Sequence, residues 1–358
     1  MSDTSGDNDN PFGHWPIANQ RMESSLSYMG YDVRLDWAEG FGHNADFGSM
    51  QFPEAMKWLW RSKKHTPSID TSDDLRGDLT LLNLLVPGKS WEVVADNLGF
   101  SDAPCSDADG NFYYCDMRAP AVVRVDAKDQ SKSVIAKESI SGLMFGPGNL
   151  LYACQGSKKR VISIDPKSGE VKTIAENVAP NDLAVSDEGY LFITETRAHQ
   201  VTRIDIKTGE VTAVDVGITR PNGIALSNDG GTLLVSDHGG PSTWTFRVNK
   251  NGVLDAKMPT MPMRLPIDPK GDFNFNEPPQ YIQASKGDGS AVDKLGRFYV
   301  TSELGVQIFD PTGRPCGVLP KPDSDQPLTS CVLAGPEHSH LYVTNGTTIY
   351  RRELTVEK

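Results

Sequence analysis

The sequence predicts an all-β fold, a six-bladed β-propeller over residues 89–358, preceded by a short mixed and helical extension over residues 1–88. Three observations predict this fold: a strand–turn–strand unit recurs after Gly88, six copies of it fit the chain, and a spare strand precedes the first copy. A period of about 40 residues with about four short strands per unit is typical of propeller blades.

The extension differs from the rest of the chain in its pattern. Phe52–Ser62 has helical apolar spacing with Pro53 near its start, which predicts a short amphipathic helix. The polar stretch Thr66–Thr80 predicts a linker, and a second apolar segment, Leu81–Val86, follows it. The change to a regular repeat after Gly88 places the domain boundary there.

Each repeat begins with a polar residue, continues as an apolar strand, and turns at or beside a glycine into a second apolar strand. The polar starting positions are Asp102, Ser141, Asn181, Asn222, Asp288 and Thr329. The steps from Ser141 to Asn181 and from Asn181 to Asn222 are almost equal, which makes the repeat regular. Val161–Asp165 and Val201–Asp205 predict third strands. The alternative to a closed propeller is an open β-sandwich.

Two features complete the predicted ring. The spare strand Trp91–Ala95 is expected to join the last blade and so remove the free sheet edges. The step from Asn222 to Asp288 is much longer than the regular repeat, which indicates an insertion between these two units. Met258–Pro279 carries most of this insertion, which either leans over the channel mouth and helps to select substrate or is a surface excursion.

Composition excludes several classes of function. The chain has 35 basic and 47 acidic residues and a net charge of −12, which argues against nucleic acid as a partner. No apolar run is long enough for a membrane span, and the polar start lacks a signal peptide's features. We therefore expect a soluble protein, cytoplasmic, or exported after removal of a leader. The five cysteines include no Cys-x-x-Cys pair, so buried free thiols or a single disulfide are expected.

The six starting positions are expected to point to one mouth of the central channel, and all six carry side-chain oxygen. Two are carboxylates and two are amides. Converging carboxylates repel one another unless a cation lies between them. Oxygen-only ligands favour Ca²⁺, Mg²⁺ or Mn²⁺, with Zn²⁺ as a further alternative. The competing interpretation is that these Asp and Asn residues merely cap turns.

Several motifs together resemble one known family. They are Pro180–Leu183, Pro221–Ser227, Gly287–Gly289 with Asp293-x-x-Gly296, and Gly142–Phe145 followed by Leu151–Gln155. In this order and spacing, roughly residues 90–350 resemble the gluconolactonase, regucalcin or senescence-marker-protein family of six-bladed propellers. The resemblance implies one divalent metal ion at the channel mouth, with Ca²⁺ as the first choice, and a sugar lactone as substrate.

The resemblance also implies roles for individual residues. Asp102, Asn222 and Asp288 would hold the metal, and Asn181 would contact water or substrate beside it. Relatives usually carry the longer Glu where this chain has Asp102, so this residue ligates either directly or through a water. Ala179 stands where some relatives carry a substrate-binding Arg, so sugar specificity does not transfer.

Lactone hydrolysis by a metal-activated water fits this set of residues. Asp288 is the candidate general base, and Asn181 is the candidate for orienting substrate or stabilising the oxyanion. His199 and His238 follow the second strands of blades three and four and are candidates for substrate contact, with an ordinary surface role as the alternative. No Gly-x-Ser-x-Gly motif supports Ser-His-Asp catalysis.

The extension carries a second resemblance. Glu39–Asn44, followed by Phe52–Arg61, resembles the last stretch of a bacterial α/β-hydrolase esterase, in which the His of this context is catalytic. The nucleophile of that family is absent, so we expect His43 not to be catalytic in this chain. The segment would be a truncated fusion partner or a remnant reused as a packing arm.

The leading functional hypothesis is a metal-dependent hydrolase that opens a sugar-derived lactone or ester. One alternative is a non-catalytic propeller, stabilised by its metal, that serves as a binding platform. A family member with altered ester or organophosphate hydrolase chemistry is another. The sequence favours no particular oligomeric state.

Overall fold

A computed structural model describes residues 2–6, 9–10, 13–43, 45–61, 80–268, 270–271 and 280–355. The chain divides into two compact units, Met1–Asp78 with Ile267–Tyr281 and Leu79–Pro266 with Ile282–Lys358. The second unit contains six four-stranded antiparallel sheets that follow one another along the chain. The predicted all-β, six-bladed propeller is therefore confirmed.

Each blade is a four-stranded meander whose first strand is innermost and borders the channel. The first three blades comprise Ser101–Ser106, Phe112–Asp116, Ala121–Val125 and Lys132–Ala136; Gly142–Gly146, Leu150–Gln155, Arg160–Ile164 and Val171–Glu176; and Leu183–Val185, Tyr190–Glu195, Gln200–Asp205 and Val211–Val216. The next two comprise Pro221–Leu226, Thr232–Asp237, Ser242–Val248 and Leu254–Pro262; and Ser290–Val292, Phe298–Ser302, Gly305–Phe309 and Pro315–Pro320. Blade six comprises Leu328–Ala334, His340–Asn345, Thr348–Glu353 and an early strand, Glu92–Ala95.

The early strand closes the ring, as predicted. Glu92–Ala95 pairs antiparallel with Thr348–Glu353, and Ile349 lies opposite Ala95. This pairing joins the two ends of the propeller chain in one sheet, so the sixth blade has its full four strands. The first part of the predicted apolar segment Leu81–Val86 belongs to a short helix, Thr80–Leu84. Leu84 packs in the core between blades five and six.

The core lies between the faces of neighbouring blades, because apolar side chains of the inner three strands alternate between the two faces. Between blades one and two, for example, Tyr113 and Cys115 pack with Leu151 and Ile162. All five cysteines are buried and free, so the expectation of buried thiols is confirmed and no disulfide forms. Burial raises the pKa of the Cys115 thiol to about 12, which keeps it protonated and unreactive.

The insertion between blades four and five differs from its predicted extent. Met258–Pro262, assigned to it from the sequence, forms the end of the outer strand of blade four. Pro259 pairs with Trp244 there despite the two prolines, because an outermost strand has one edge that needs no hydrogen-bond partners. Residues 269 and 272–279 lie outside the described residues, so the expected position of the insertion over the mouth stays a prediction.

The described residues of the first unit form two small sheets and two helices. Ser2–Gly6 pairs parallel with Asp36–Gly42, and Asp9–Asn10 pairs antiparallel with Gly13–His14. The helices are Trp15–Tyr28 and Ala45–Leu59. The second begins two turns before the predicted start at Phe52, and Pro53 lies inside it. The predicted linker falls mostly in residues 62–79, which lie outside the described residues.

His43 lies between the strand and the second helix of this unit, and its ring packs edge-on against Trp15 with the ring centres 4.9 Å apart. The resemblance of this segment to an esterase tail stays a prediction. None of the helices among the described residues is long and apolar enough to cross a membrane.

Candidate active site at the channel mouth

The six predicted starting residues lie at the mouth end of the inner strands, and we call them the mouth ring: Asp102, Ser141, Asn181, Asn222, Asp288 and Thr329. Hydroxyl groups on the preceding blade fix the backbone of several members. Ser236 Oγ donates to the Asp288 carbonyl oxygen at 2.8 Å, and Thr194 Oγ1 donates to that of Asn222. Ser141 Oγ donates to the Asn181 carbonyl at 2.6 Å. Blade-to-blade bonds therefore set the position of these ring members.

In three blades, an acidic residue at the end of the second strand hydrogen-bonds to the loop that precedes the ring residue. Each carboxylate accepts the backbone N–H located two residues before the ring position: Phe100 to Asp116 at 3.2 Å, Ala179 to Glu195 at 2.8 Å, and Arg220 to Asp237 at 2.9 Å. Sequence analysis missed these acids. Each is the last residue of its blade's second strand, and this recurring position is the pattern that could have revealed them.

Irregular strand pairing aims the ring side chains at the mouth. The register of the inner strand shifts between Asp102 and Cys105 in blade one and between Pro221 and Ile224 in blade four. Such β-bulges re-aim side chains and are common beside active sites. In blade one the bulge places Ala103 at a φ of +53°.

Asn222, His238 and Asp288 form a cluster on blades four and five. Asn222 Nδ2 lies 3.5 Å from His238 Nδ1, and that nitrogen lies 4.0 Å from Asp288 Oδ2. Burial and the positive charges of Arg220 and Lys286 lower the pKa of His238. The imidazole is therefore neutral at pH 7, so it lies beside the two ring residues without carrying charge.

The ring carboxylates are destabilised as anions. Burial raises the pKa of Asp102 to about 7, and the charge of Asp182 adds to this shift. Burial, followed by the charges of Asp102 and Asp182, raises the pKa of Asp288 well above its usual range. The three carboxyl groups therefore face a common region, where a positive charge would favour their ionised forms.

Asp182 is a site residue that sequence analysis missed. Its carboxylate accepts hydrogen bonds from Leu183 N at 2.8 Å and from Ile224 N, on the next blade, at 3.3 Å. The space for it comes from Gly142, where an added Cβ would lie 2.6 Å from Asp182 Oδ1. Its neighbour Asn181 was singled out instead because the polar repeat was aligned on that position.

The remaining ring and histidine candidates separate into two groups. Within the described residues, the Asn181 side-chain amide has no hydrogen-bond partner, so it is available to a ligand. Thr329 Oγ1 instead bonds to Thr344 Oγ1 at 2.7 Å, as part of the bonding between strands. His199 is exposed, and its ring nitrogen bonds to the Thr219 carbonyl. The structure thus brings His238, but not His199, into contact with the ring.

The mouth ring fits a hard divalent cation. Asn222 Oδ1 is buried without a hydrogen-bond partner, an arrangement that is costly unless a ligand supplies one. This amide oxygen lies in the same cluster as the Asp288 carboxylate, and mixed carboxylate and amide oxygens are what Ca²⁺ prefers. Among the described residues no three His, Cys, Asp or Glu side chains are close enough to hold a metal, so the amides are needed as ligands.

A large cavity bounded by the described residues lies away from the mouth ring. It has a volume of about 650 Å³, begins at Asp182 and follows the inner strands to the opposite end of the channel. Its walls are mainly apolar, with Leu143, Ile224 and Cys331 among them, and its far end lies at Asp293 and His338. Its walls include none of the mouth-ring residues. The ring rather than this cavity is the candidate site, because the polar groups that could do chemistry converge at the ring.

These features define a six-bladed propeller with a ring of oxygen-bearing side chains at one mouth of its channel. Residues 100–347 match the family described as the SMP-30/Gluconolactonase/LRE-like region, and the chain belongs to that family. A gluconolactonase of Zymomonas mobilis is 24% identical over 301 residues, which cover 73% of this chain and 80% of the relative.

Solved structures agree on the fold. A gluconolactonase of Xanthomonas campestris superimposes with a TM-score of 0.63 at 20% identity, over 77% of this chain and 93% of that one. A structure described as a calcium-binding regucalcin from Agrobacterium tumefaciens gives a TM-score of 0.60 at 17% identity, over 75% and 96%. At these identities the likeness extends to the propeller fold and no further.

Proposed function

We propose that this protein is a lactonase that hydrolyses a sugar-derived lactone with the help of one divalent metal ion, Ca²⁺ before Mg²⁺, Mn²⁺ or Zn²⁺. The observation that carries the proposal is the unpartnered, buried Asn222 Oδ1 beside the Asp288 carboxylate. Membership of the gluconolactonase family and the named activity of the Zymomonas relative support the substrate class.

Each residue of the proposed site has a separate role. Asp102, Asn222 and Asp288 would hold the ion, with Asp102 as a ligand directly or through a water. The chemistry supplied at this position would be that of a Lewis acid, polarisation of the lactone carbonyl and a lower pKa for water. The Asn181 amide, free within the described residues, donates a hydrogen bond to the substrate. Asp288 accepts the proton of the attacking water at a carboxylate oxygen, and His238 positions Asp288 and Asn222.

The test is a panel of sugar lactones monitored by acid release, with the protein stripped by chelator and then supplied with each metal. Stripped protein should lose hydrolysis and regain it with Ca²⁺, and elemental analysis should find about one ion per chain. Metal-independent hydrolysis would refute the role of the ion. A Ca²⁺-stabilised protein that turns over no lactone or ester would instead favour the binding-platform alternative.

A further inference from the structure

Positively charged side chains lie along one side of the propeller mouth, although the chain carries a net charge of −12. Arg220 lies two residues before Asn222, and Lys286 lies two residues before Asp288. Both side chains are exposed, and both act electrostatically on His238, which contacts those two ring residues. Two cations therefore lie beside the groups assigned to the reaction.

Arg220 is held in place by its backbone while its guanidinium stays unpaired. Its N–H donates to Asp237 Oδ1 at 2.9 Å, and its carbonyl accepts from His238 N at 2.9 Å. Its stem lies against Gly239, where an added Cβ would come within 3.2 Å of Arg220 Cγ. Among the described residues no acceptor pairs with the guanidinium, so its five donors are available to a ligand.

Lys286 is only partly neutralised. Its Nζ lies 2.8 Å from Glu303 Oε2, and the same carboxylate also pairs with Lys321 Nζ at 3.2 Å through Oε1. Two lysines thus share one acid. Within the described part of the chain, Arg220, Lys286 and Lys321 face only two acids on this side, Glu303 and Asp237. If a divalent ion offsets the charges of Asp102 and Asp288, one positive charge remains in excess on the blade four and five side.

We infer that the natural substrate is an anionic sugar lactone, with a carboxylate or phosphate at the end of the sugar chain remote from the lactone carbonyl. Arg220 binds this anion, and Lys286 adds to the attraction. This inference rests on the proposed lactonase function. An arginine fork suits carboxylate and phosphate oxygens, and pairs of this kind are stronger than neutral hydrogen bonds.

The reaction itself is unchanged by the anion. The water oxygen bonds to the carbonyl carbon, the acyl–oxygen bond of the ring breaks, and the ring oxygen takes up a proton to become a hydroxyl. The new carboxylic acid releases one proton at neutral pH. Acid release therefore reports hydrolysis of neutral and anionic lactones on the same scale.

The experiment compares D-glucaro-1,4-lactone with D-glucono-1,4-lactone on the Ca²⁺-loaded full chain, since the two differ only in carboxylate against hydroxymethyl. We expect kcat/KM to favour the glucarolactone by about tenfold or more, mainly through KM. Arg220→Gln should bring the ratio towards one, and Lys286→Gln should lower it less. Lys207→Gln, an equal charge change at the opposite face, should leave the ratio unchanged. D-glucono-1,4-lactone 6-phosphate in the same assay distinguishes phosphate from carboxylate.

A wild-type kcat/KM ratio near one, or a ratio that Arg220→Gln does not alter, would refute the preference for an anionic substrate. The proposed lactonase function would still stand. Absence of hydrolysis with either lactone would overturn the proposed function instead. In that case the shift in melting temperature produced by each intact lactone tests separately whether the protein prefers an anionic ligand. A larger shift with the glucarolactone that is lost in Arg220→Gln supports it, and equal shifts refute it.

Discussion

The two ends of the propeller channel differ in polarity and in the volume of the space that they enclose. The mouth end is polar, with two carboxylates, two amides and a histidine, yet none of its ring residues lines the large cavity. The far side of Asp182 is a roomy apolar channel of about 650 Å³. Ligand pockets are usually concave and mostly apolar, so volume alone would favour the end opposite to the converging polar groups.

The difference teaches that in this fold the proposed catalytic groups are placed by the starts of the inner strands rather than by a cavity. The inner strands converge from six blades, so residues distant in sequence, such as Asp102 and Asp288, come to face one region. Asp182 marks the boundary, since it lines the cavity and raises the pKa of both ring carboxyls.

The largest expected effect is at the mouth. Asp288→Asn removes the proposed base and one of two anionic metal ligands, so lactone hydrolysis should fall by about 100-fold or more. Calcium affinity, measured by titration calorimetry, should fall with it. Asp229→Asn, at a turn on the opposite face, is the matched control and should retain activity. Full activity of Asp288→Asn with metal still bound would refute Asp288 as the base.

A smaller effect is expected for the group that positions Asp288. Ser236 Oγ accepts from Gly223 N at 2.8 Å and donates to the Asp288 carbonyl at 2.8 Å. Ser236→Ala leaves both groups buried and unpaired, so the free energy of unfolding should fall by about 1–3 kcal/mol. Calcium affinity should fall roughly tenfold, as is usual when groups supporting metal ligands are removed.

Ser236→Thr is the conservative comparison, because threonine serves at the corresponding positions Thr194 and Thr301. It should keep most of the stability and the calcium affinity. Denaturant unfolding and calorimetry on the three proteins separate the outcomes. Unchanged calcium affinity in Ser236→Ala, despite lost stability, would mean that the hydroxyl supports the fold but not the mouth.

Most of the fold could be predicted from the sequence because a closed ring repeats one local pattern. Apolar strands and glycine turns at a regular period identify each blade, and the early strand Glu92–Ala95 fits the last blade, where it pairs. Helix bounds were less predictable. Pro53 suggested a helix start, but it lies inside the helix Ala45–Leu59, so proline alone did not mark the boundary.

The candidate site was predictable where it repeats and unpredictable where it does not. Asn222 and Asp288 recur at equivalent positions, so alignment of the repeats found them. Asp182 occurs in one blade only, where the others carry a small residue such as Gly142, Gly223 or Gly289. Contact with His238 depends on where a loop folds, and no periodic pattern encodes this.

The smallest expected effect is at the far end of the channel, and it tests the comparison most directly. Met144 lines the cavity on the inner strand of blade two, and its side chain is 36% exposed. Met144→Trp should reduce the cavity volume while kcat/KM for the lactone stays within about twofold of wild type, because no mouth-ring residue lines this cavity. Thermal unfolding would verify that the variant is folded. A large loss of kcat/KM in a folded variant would mean that substrate or product uses the channel, and the two ends would then form one site joined past Asp182.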